Sequence, residues 1–276
     1  MNAVGATDSI QIAVVIPALT CPCRQADKVL NQLGLDDRLV IVYERGVMDL
    51  CECAKRLFRD SRVIQIIGPH KYKGAAFSRN FGVRNLGKCP NVLLFCDADD
   101  LVDEEWVVKL SGPLINGVAD LTGGALRIKN TKNSSKPALP RIDYWYRLAL
   151  FGSNMGITGF AWESLHGFDE TLRYSEDTDI AWRAADMGFR VTVMPDAAVN
   201  YTLRGTVLKE VRQRFNWGKA AISLFRKHGI KMSNLPGLSD LINDKQSTGF
   251  ARYPFLAAVA QWLGQRFGKL LTHLLE

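Results

Sequence analysis

A chain of 276 residues with 47% hydrophobic side chains can bury one substantial core, which excludes a disordered or low-complexity protein. The formal charge of +7 is concentrated, because eight basic residues between Arg204 and Lys231 face Glu210 alone. Such a patch suits phosphates, an anionic surface or a solvated helix face, and without a recognition motif beside it nucleic acid is not an expected partner.

The longest apolar run near the C-terminus, Phe255 to Leu263, is broken by Gln261 and too short to span a bilayer. The N-terminus shows no secretory signal, and the protein is read as cytoplasmic. Two C-x-C pairs, Cys21-Pro22-Cys23 and Cys51-Glu52-Cys53, are spaced more tightly than usual zinc ligands. In a reducing compartment the six cysteines are read as plain thiols.

In chain order, strands are predicted at Ile12–Ile16, Leu39–Tyr43, Val63–Ile67 and Val92–Phe95, each rich in β-branched or large apolar residues and bounded by turn signals. Helical spacing occupies Gln25–Leu33, Asp49–Phe58 and Ala75–Leu86 between them. That alternation implies right-handed βαβ units and a parallel sheet covered on both faces, with ligands held beyond the carboxyl ends of the strands.

Just past one such end stand four carboxylates in seven residues, Asp97, Asp99, Asp100 and Asp103. Like charges that close raise one another's pKa or require a cation, and an all-oxygen set suits Mg²⁺ or Mn²⁺. Asp97 and Asp99 are assigned to function. Asp100 and Asp103 are assigned to the start of a helix that Glu104 and Glu105 also begin and that ends near Asn116.

The second half is less regular. Asp120–Ile128 reads as a strand, Lys129–Pro140 as a polar loop and Asp143–Leu150 as a short aromatic-rich helix. Gly152 to Phe160 reads as a loop whose small residues allow close backbone approach. Ser175 suits the N-cap of a helix running to about Met187, with Glu176, Asp177 and Asp179 in its first turn and Arg183 placed to pair with Asp179. Capping and dipole complementarity account for all three carboxylates on spacing alone.

Five segments in order, Val14 to Ala18, Gly74 to Gly82, Cys96 to Asp100, His166 to Glu170 and Glu176 to Arg183, together resemble the inverting nucleotide-sugar glycosyltransferases of family two. The resemblance implies a GT-A fold: an α/β architecture with a Rossmann-like, mostly parallel sheet, helices on both faces and here a C-terminal helical extension. It implies a nucleotide-binding half at 10–118 and an acceptor-side half at 119–204, with 205–276 as the extension.

By the same resemblance, Asp97 contacts the nucleotide ribose with Ala98 beside it, and Asp99 binds the Mn²⁺ or Mg²⁺ that bridges the diphosphate. Pro17 and Ala18 lie beside the base, Arg79 near the nucleotide, and Asp177 is the general base with Glu176 next to it. The implied donor is a UDP-, GDP- or dTDP-linked sugar. The acceptor is not named; lipid-linked and polysaccharide hydroxyls are the two classes in view.

Three departures from the family pattern matter. An acidic turn after the second strand is replaced by Tyr43-Glu44-Arg45-Gly46, leaving Glu44 as the substitute contact to the base. Asn200 stands where a histidine is common, and it and Arg204 are candidate metal or diphosphate contacts. Gln213-Arg214-Phe215-Asn216-Trp217 matches only part of a processive-synthase signature, which favours transfer of a single sugar. A non-catalytic sugar- or nucleotide-binding homologue and a nucleotidyltransferase are the competing readings.

Arg204, Arg212 and Arg214 fit either a loop closing over the diphosphate or an amphipathic packing helix from Leu208 to Lys227. A second amphipathic helix fills the tail from Phe255, with packing on protein or peripheral membrane contact through 250–276 as its two roles.

Overall fold

The computed structural model describes residues 11–44, 52–69, 73–128, 137–143, 147–202, 206–244 and 254–275. Its first half follows the apolar runs: β1 (Ile12–Ala18), α1 (Cys23–Leu30), β2 (Arg38–Tyr43), α2 (Glu52–Leu57), β3 (Val63–Ile67), α3 (Ala75–Arg84) and β4 (Val92–Cys96). Then come β5 (Leu101–Val102), α4 (Trp106–Ile115), β6 (Leu121–Ile128), β7 (Arg141–Asp143), β8 (Arg147–Ala149), β9 (Asn154–Thr158), α5 (Gly159–Ser164), α6 (Glu176–Asp186) and β10 (Val191–Tyr201). The chain continues through α7 (Val207–Lys227), a 3-10 turn at Met232–Asn234, α8 (Leu238–Asn243) and α9 (Pro254–Leu275).

Eight strands form one sheet in the order β3-β2-β1-β4-β9-β6-β10-β5. The β3-β2-β1-β4 half is parallel throughout, β6 and β10 are parallel, and β9 runs antiparallel to β4 and β6. The mostly parallel α/β expectation therefore holds. One core packs α1 and α4 on one face through Ala26, Val29, Trp106 and Leu110. The other packs α3, α5 and α6 on the opposite face through Ala76, Val83, Trp162, Ile180 and Ala184.

Two elements correct the sequence reading. The Asp143–Leu150 stretch is not a helix: residues 144–146 lie outside the described residues, and β7 and β8 flank them as an antiparallel pair with Arg141 opposite Ala149. Strand β8 is captured by α6, whose Trp182 Nε1 donates to the Arg147 carbonyl at 3.0 Å, so tertiary contact outweighs the local aromatic spacing.

The Gly152–Phe160 stretch is not a plain loop either. Its centre is β9, buried between β4 and β6, where ladder pairing on both edges replaces any need for side-chain alternation.

Strand β10 carries a register shift between Met194 and Ala198 against β6. The fully buried Asn154 of β9 accommodates it: Nδ2 donates to the carbonyls of Ala125 (2.8 Å) and Ala197 (2.9 Å), and Oδ1 accepts from Trp106 Nε1 at 2.8 Å. One amide thus satisfies backbone groups that the bulge takes out of the ladder.

A Cβ at Gly124 would overlap both the Ala197 carbonyl oxygen and the Asn154 amide. Gly124→Ala should therefore destabilise by about 1–3 kcal/mol or more in chemical denaturation.

Candidate functional site

Arg79 sits one turn into α3 and is 2% exposed. Its Nη2 donates to Asp97 Oδ1 at 2.9 Å, and its Nη1 donates to Glu176 Oε1 at 2.8 Å. Asp97 is the first residue after β4 and Glu176 the first of α6, so one guanidinium joins the ends of two separate elements. A Cβ at residue 152 would lie 2.8 Å from Arg79 Nη1, and the glycine there is what admits the guanidinium. The Gly152 N–H donates to Asp177 Oδ2 at 2.8 Å, while Asp177 Oδ1 accepts the Thr178 N–H at 2.8 Å.

Burial opposes the charge on Arg79, but Asp97, Glu176 and Asp177 outweigh it and hold the guanidinium firmly protonated. One cation does not neutralise three carboxylates. Burial, with Asp177 next to it, pushes Glu176 up to about 7 against the pull of Arg79. Burial likewise raises Asp177, against the Gly152 amide and Arg79. The pair therefore retains a proton well above the ordinary carboxylate range.

Beside this network the turn after β4 holds carboxylate oxygens of Asp97, Asp99 and Asp100 within 4.8 Å of one another. Asp99 is exposed, whereas Asp100 is buried and its Oδ1 accepts the Thr202 N–H at 3.0 Å. Thr202 Oγ1 donates back to the Asp99 carbonyl at 2.8 Å, which pins the turn to the end of β10. Asp97 and Asp99 with this all-oxygen donor set fit a hard divalent cation.

Ala98 lies between the two, and Pro17 and Ala18 end β1 opposite Val42 and Tyr43 of β2. Glu44 is buried, and its Oε1 accepts a short hydrogen bond from Ser78 Oγ on α3.

Asn200 takes another course: its Nδ2 donates to Asp103 Oδ1 at 3.0 Å and to the Leu101 carbonyl at 3.3 Å. Asp103 also pairs with Arg127, and the N-cap of α4 is Glu105, in a left-handed conformation and without a side-chain cap bond. The capping roles expected of Asp100 and Asp103 are thus replaced by long-range bonds. Ser175 is the N-cap of α6 by position, but with φ of 65° it makes no side-chain cap bond. Arg204 lies outside the described residues, and Arg212 and Arg214 sit on the packed helix α7.

Several supports were not visible in sequence. Asn80 clamps the segment before α6: its Oδ1 accepts the Phe168 N–H, and its Nδ2 donates to the Phe168 carbonyl and Glu170. Asp179, fully buried, binds Arg183 Nε at 2.8 Å as its spacing implied, and also Lys227 Nζ at 2.8 Å and His228 Nε2 at 2.9 Å. In sequence Gly152 is marked only by its place in a run of small residues, Asn80 by the Gly74 to Gly82 segment and Lys227 by the basic stretch, and none of these signals names the partner each side chain meets.

Comparison with known proteins bears on the family and the fold. A family model described as glycosyl transferase family group 2 matches residues 129–265. The succinoglycan biosynthesis protein ExoA of Rhizobium meliloti (strain 1021) is 22% identical over 246 residues, covering 83% of this chain and 71% of ExoA.

Among solved structures, mannosyltransferase PcManGT from Pyrobaculum calidifontis, determined with GDP-Man and Mn²⁺, superposes with a TM-score of 0.63 at 15% identity, over 95% of this chain and 75% of PcManGT. S. aureus TarS 1-349 gives 0.55 at 13% identity, over 96% and 92%, and is also known in complex with UDP. These two likenesses bear on the fold.

The raised Glu176 has a measurable consequence. Between its ordinary value of 4.5 and its folded value of about 7, the native state binds more protons than the unfolded one. Its contribution is complete below that window and is lost as pH rises through it. Melting temperature should fall across this range, and Glu176→Gln should flatten the slope in a pH series of thermal melts.

Proposed function

We propose that this chain is a family-two glycosyltransferase, a reading supported by the family match over residues 129–265 and the likeness to ExoA, and that it transfers a single sugar from a nucleoside-diphosphate sugar to an acceptor hydroxyl, with inversion at the anomeric carbon. The observation that carries this reading is the Arg79 bridge from Asp97 to Glu176, with Asp177 adjacent. It puts the carboxylates suited to nucleotide and cation beside the carboxylate suited to an acceptor proton.

Asp177 is the general base. Its two oxygens are oriented by the Gly152 and Thr178 amides, and burial lifts its basicity. A base is most effective when its pKa approaches the working pH, so this upward shift favours proton removal from a sugar hydroxyl. The deprotonated oxygen attacks from the face opposite the departing diphosphate, and the anomeric centre inverts. Glu176, tied to Arg79, keeps the start of α6 in place.

Asp99 would hold the cation, with Asp97 beside it toward the ribose, and Mg²⁺ or Mn²⁺ bound there would supply positive charge to the leaving diphosphate. Glu44, Pro17 and Ala18 line the base end, and UDP-, GDP- and dTDP-sugars are the candidate donors. ExoA's role in succinoglycan biosynthesis supports a saccharide acceptor.

The first test is thermal stabilisation by UDP, GDP, dTDP and CDP, with and without Mn²⁺. One nucleotide at about 100 times its Kd should stabilise by roughly 2.7 kcal/mol with metal, and Asp99→Ala should lose that response. No response to any nucleotide overturns the transfer reading in favour of a non-catalytic homologue.

Asp177→Asn should keep the nucleotide response while lowering kcat roughly 10²- to 10⁴-fold in a transfer assay with the donor so identified. Unchanged kcat would remove Asp177 from the role of base.

A further inference from the structure

The outer face of α9 inverts the usual logic of an amphipathic helix. Small residues face inward: Ala257, Ala260, Gly264 and Gly268 are buried, and a Cβ at Gly264 would overlap the Phe215 carbonyl of α7. Backbone contact uses up the inward face, and the large apolar side chains are left outside. Phe255 is 61% exposed, Leu256 45%, Leu263 47%, Phe267 44% and Leu270 57%. At 3.6 residues per turn these five fall within about 120° of one another, so they form one continuous stripe along the helix. A packing helix buries such residues; this one displays them.

The charge around the stripe selects its occupant. From Pro254 to Leu275 there is no Asp or Glu. Arg266 stacks over Trp262 at 5.1 Å from the ring centroid and stands within the arc of the apolar strip, while Lys219 of α7 borders it 6.0 Å from the Phe267 centroid. On α7 the single carboxylate, Glu210, is buried, while Lys209, Arg212 and Lys219 are exposed. Two copies meeting through this face would bring like charges together, whereas an anionic surface complements it. No helix among the described residues is long and apolar enough to cross a membrane.

We propose that the α7–α9 pair docks on an anionic bilayer surface, with the α9 stripe seated at the headgroup boundary and the bordering lysines and arginines on lipid phosphates. This surface is separate from the transfer chemistry and does not rest on it.

The same α7 reaches the catalytic helix. Asn216 Nδ2 donates to the Tyr174 hydroxyl at 3.1 Å, two residues before Glu176, and Lys227 and His228 hold Asp179. A docked α7–α9 pair therefore holds the start of α6 at a set height above the lipid, where an acceptor carried in the membrane would be met.

The test is flotation of the full chain with vesicles of equal parts phosphatidylglycerol and phosphatidylcholine, against phosphatidylcholine alone. Co-flotation at least tenfold stronger with the anionic vesicles, falling as salt rises, is expected. The double variant Leu263→Asp/Leu270→Asp should abolish it, and Lys219→Glu/Arg266→Glu should weaken it. All four positions are on the surface, and an unchanged melting temperature verifies folding without reference to nucleotide binding.

Absence of wild-type flotation, or flotation unaltered in the Asp double variant, overturns the proposal. So does light scattering that shows a dimer which Leu263→Asp/Leu270→Asp dissociates, because a second copy would then be the occupant.

Discussion

A single buried guanidinium, Arg79, sets the terms for the rest of this molecule. Its charge is removed from water and survives only because Asp97 and Glu176 bind it directly with Asp177 nearby. Breaking such a buried arrangement leaves an uncompensated ion, which is far more costly than never having formed it. Arg79 stands on α3, its three carboxylates come from the end of β4 and the start of α6, and Gly152 must bring bare backbone against the guanidinium. Folding of the sheet and assembly of the site are for this reason one event. Burial, with the two carboxylates side by side, also keeps a proton on the Glu176–Asp177 pair well above the ordinary carboxylate range.

Around that centre, irregular backbone is held by buried polar side chains more than by apolar packing. Asn154 collects carbonyls from two strands where β10 slips register, and Asn80 clamps both the N–H and the carbonyl of Phe168. Asp179 gathers three basic side chains from α6 and from the end of α7 with the residue after it. Each satisfies groups that would otherwise be desolvated without a partner, a penalty on the order of 1–3 kcal/mol apiece. Helix α7 consequently serves two neighbours, α6 on one side and α9 on the other.

Much of this is legible in the sequence. The β-branched runs of β1, β2 and β3, the leucine-rich run of β4 and the helical spacing of α3, α6, α7 and α9 follow from local patterning, because each element buries a face of its own. The acidic turn after β4 stood out because adjacent carboxylates at a strand end need a reason. Strand β9 gave no such signal: with pairing on both edges and glycine and asparagine within it, its local chemistry reads as a loop. The stretch Asp143–Leu150 reads as a helix for the same reason in reverse, since α6 holds β8 from outside.

The amino-acid sequence by itself determined the parallel half of the sheet, the place of Asp97 and Asp99 at its carboxyl edge, and the helix that begins with Glu176 and Asp177. These depend on residues close together in the chain, whose propensities and periods add up locally. Tertiary structure alone decided that Arg79 would meet Asp97 and Glu176, 18 and 97 positions away. It also decided that Asn200 would turn to Asp103, and that α9 would bury its small residues and show its large ones. Charge pairing and backbone contact act through space at a few ångströms, and no local pattern records which distant groups the folded chain brings within that range.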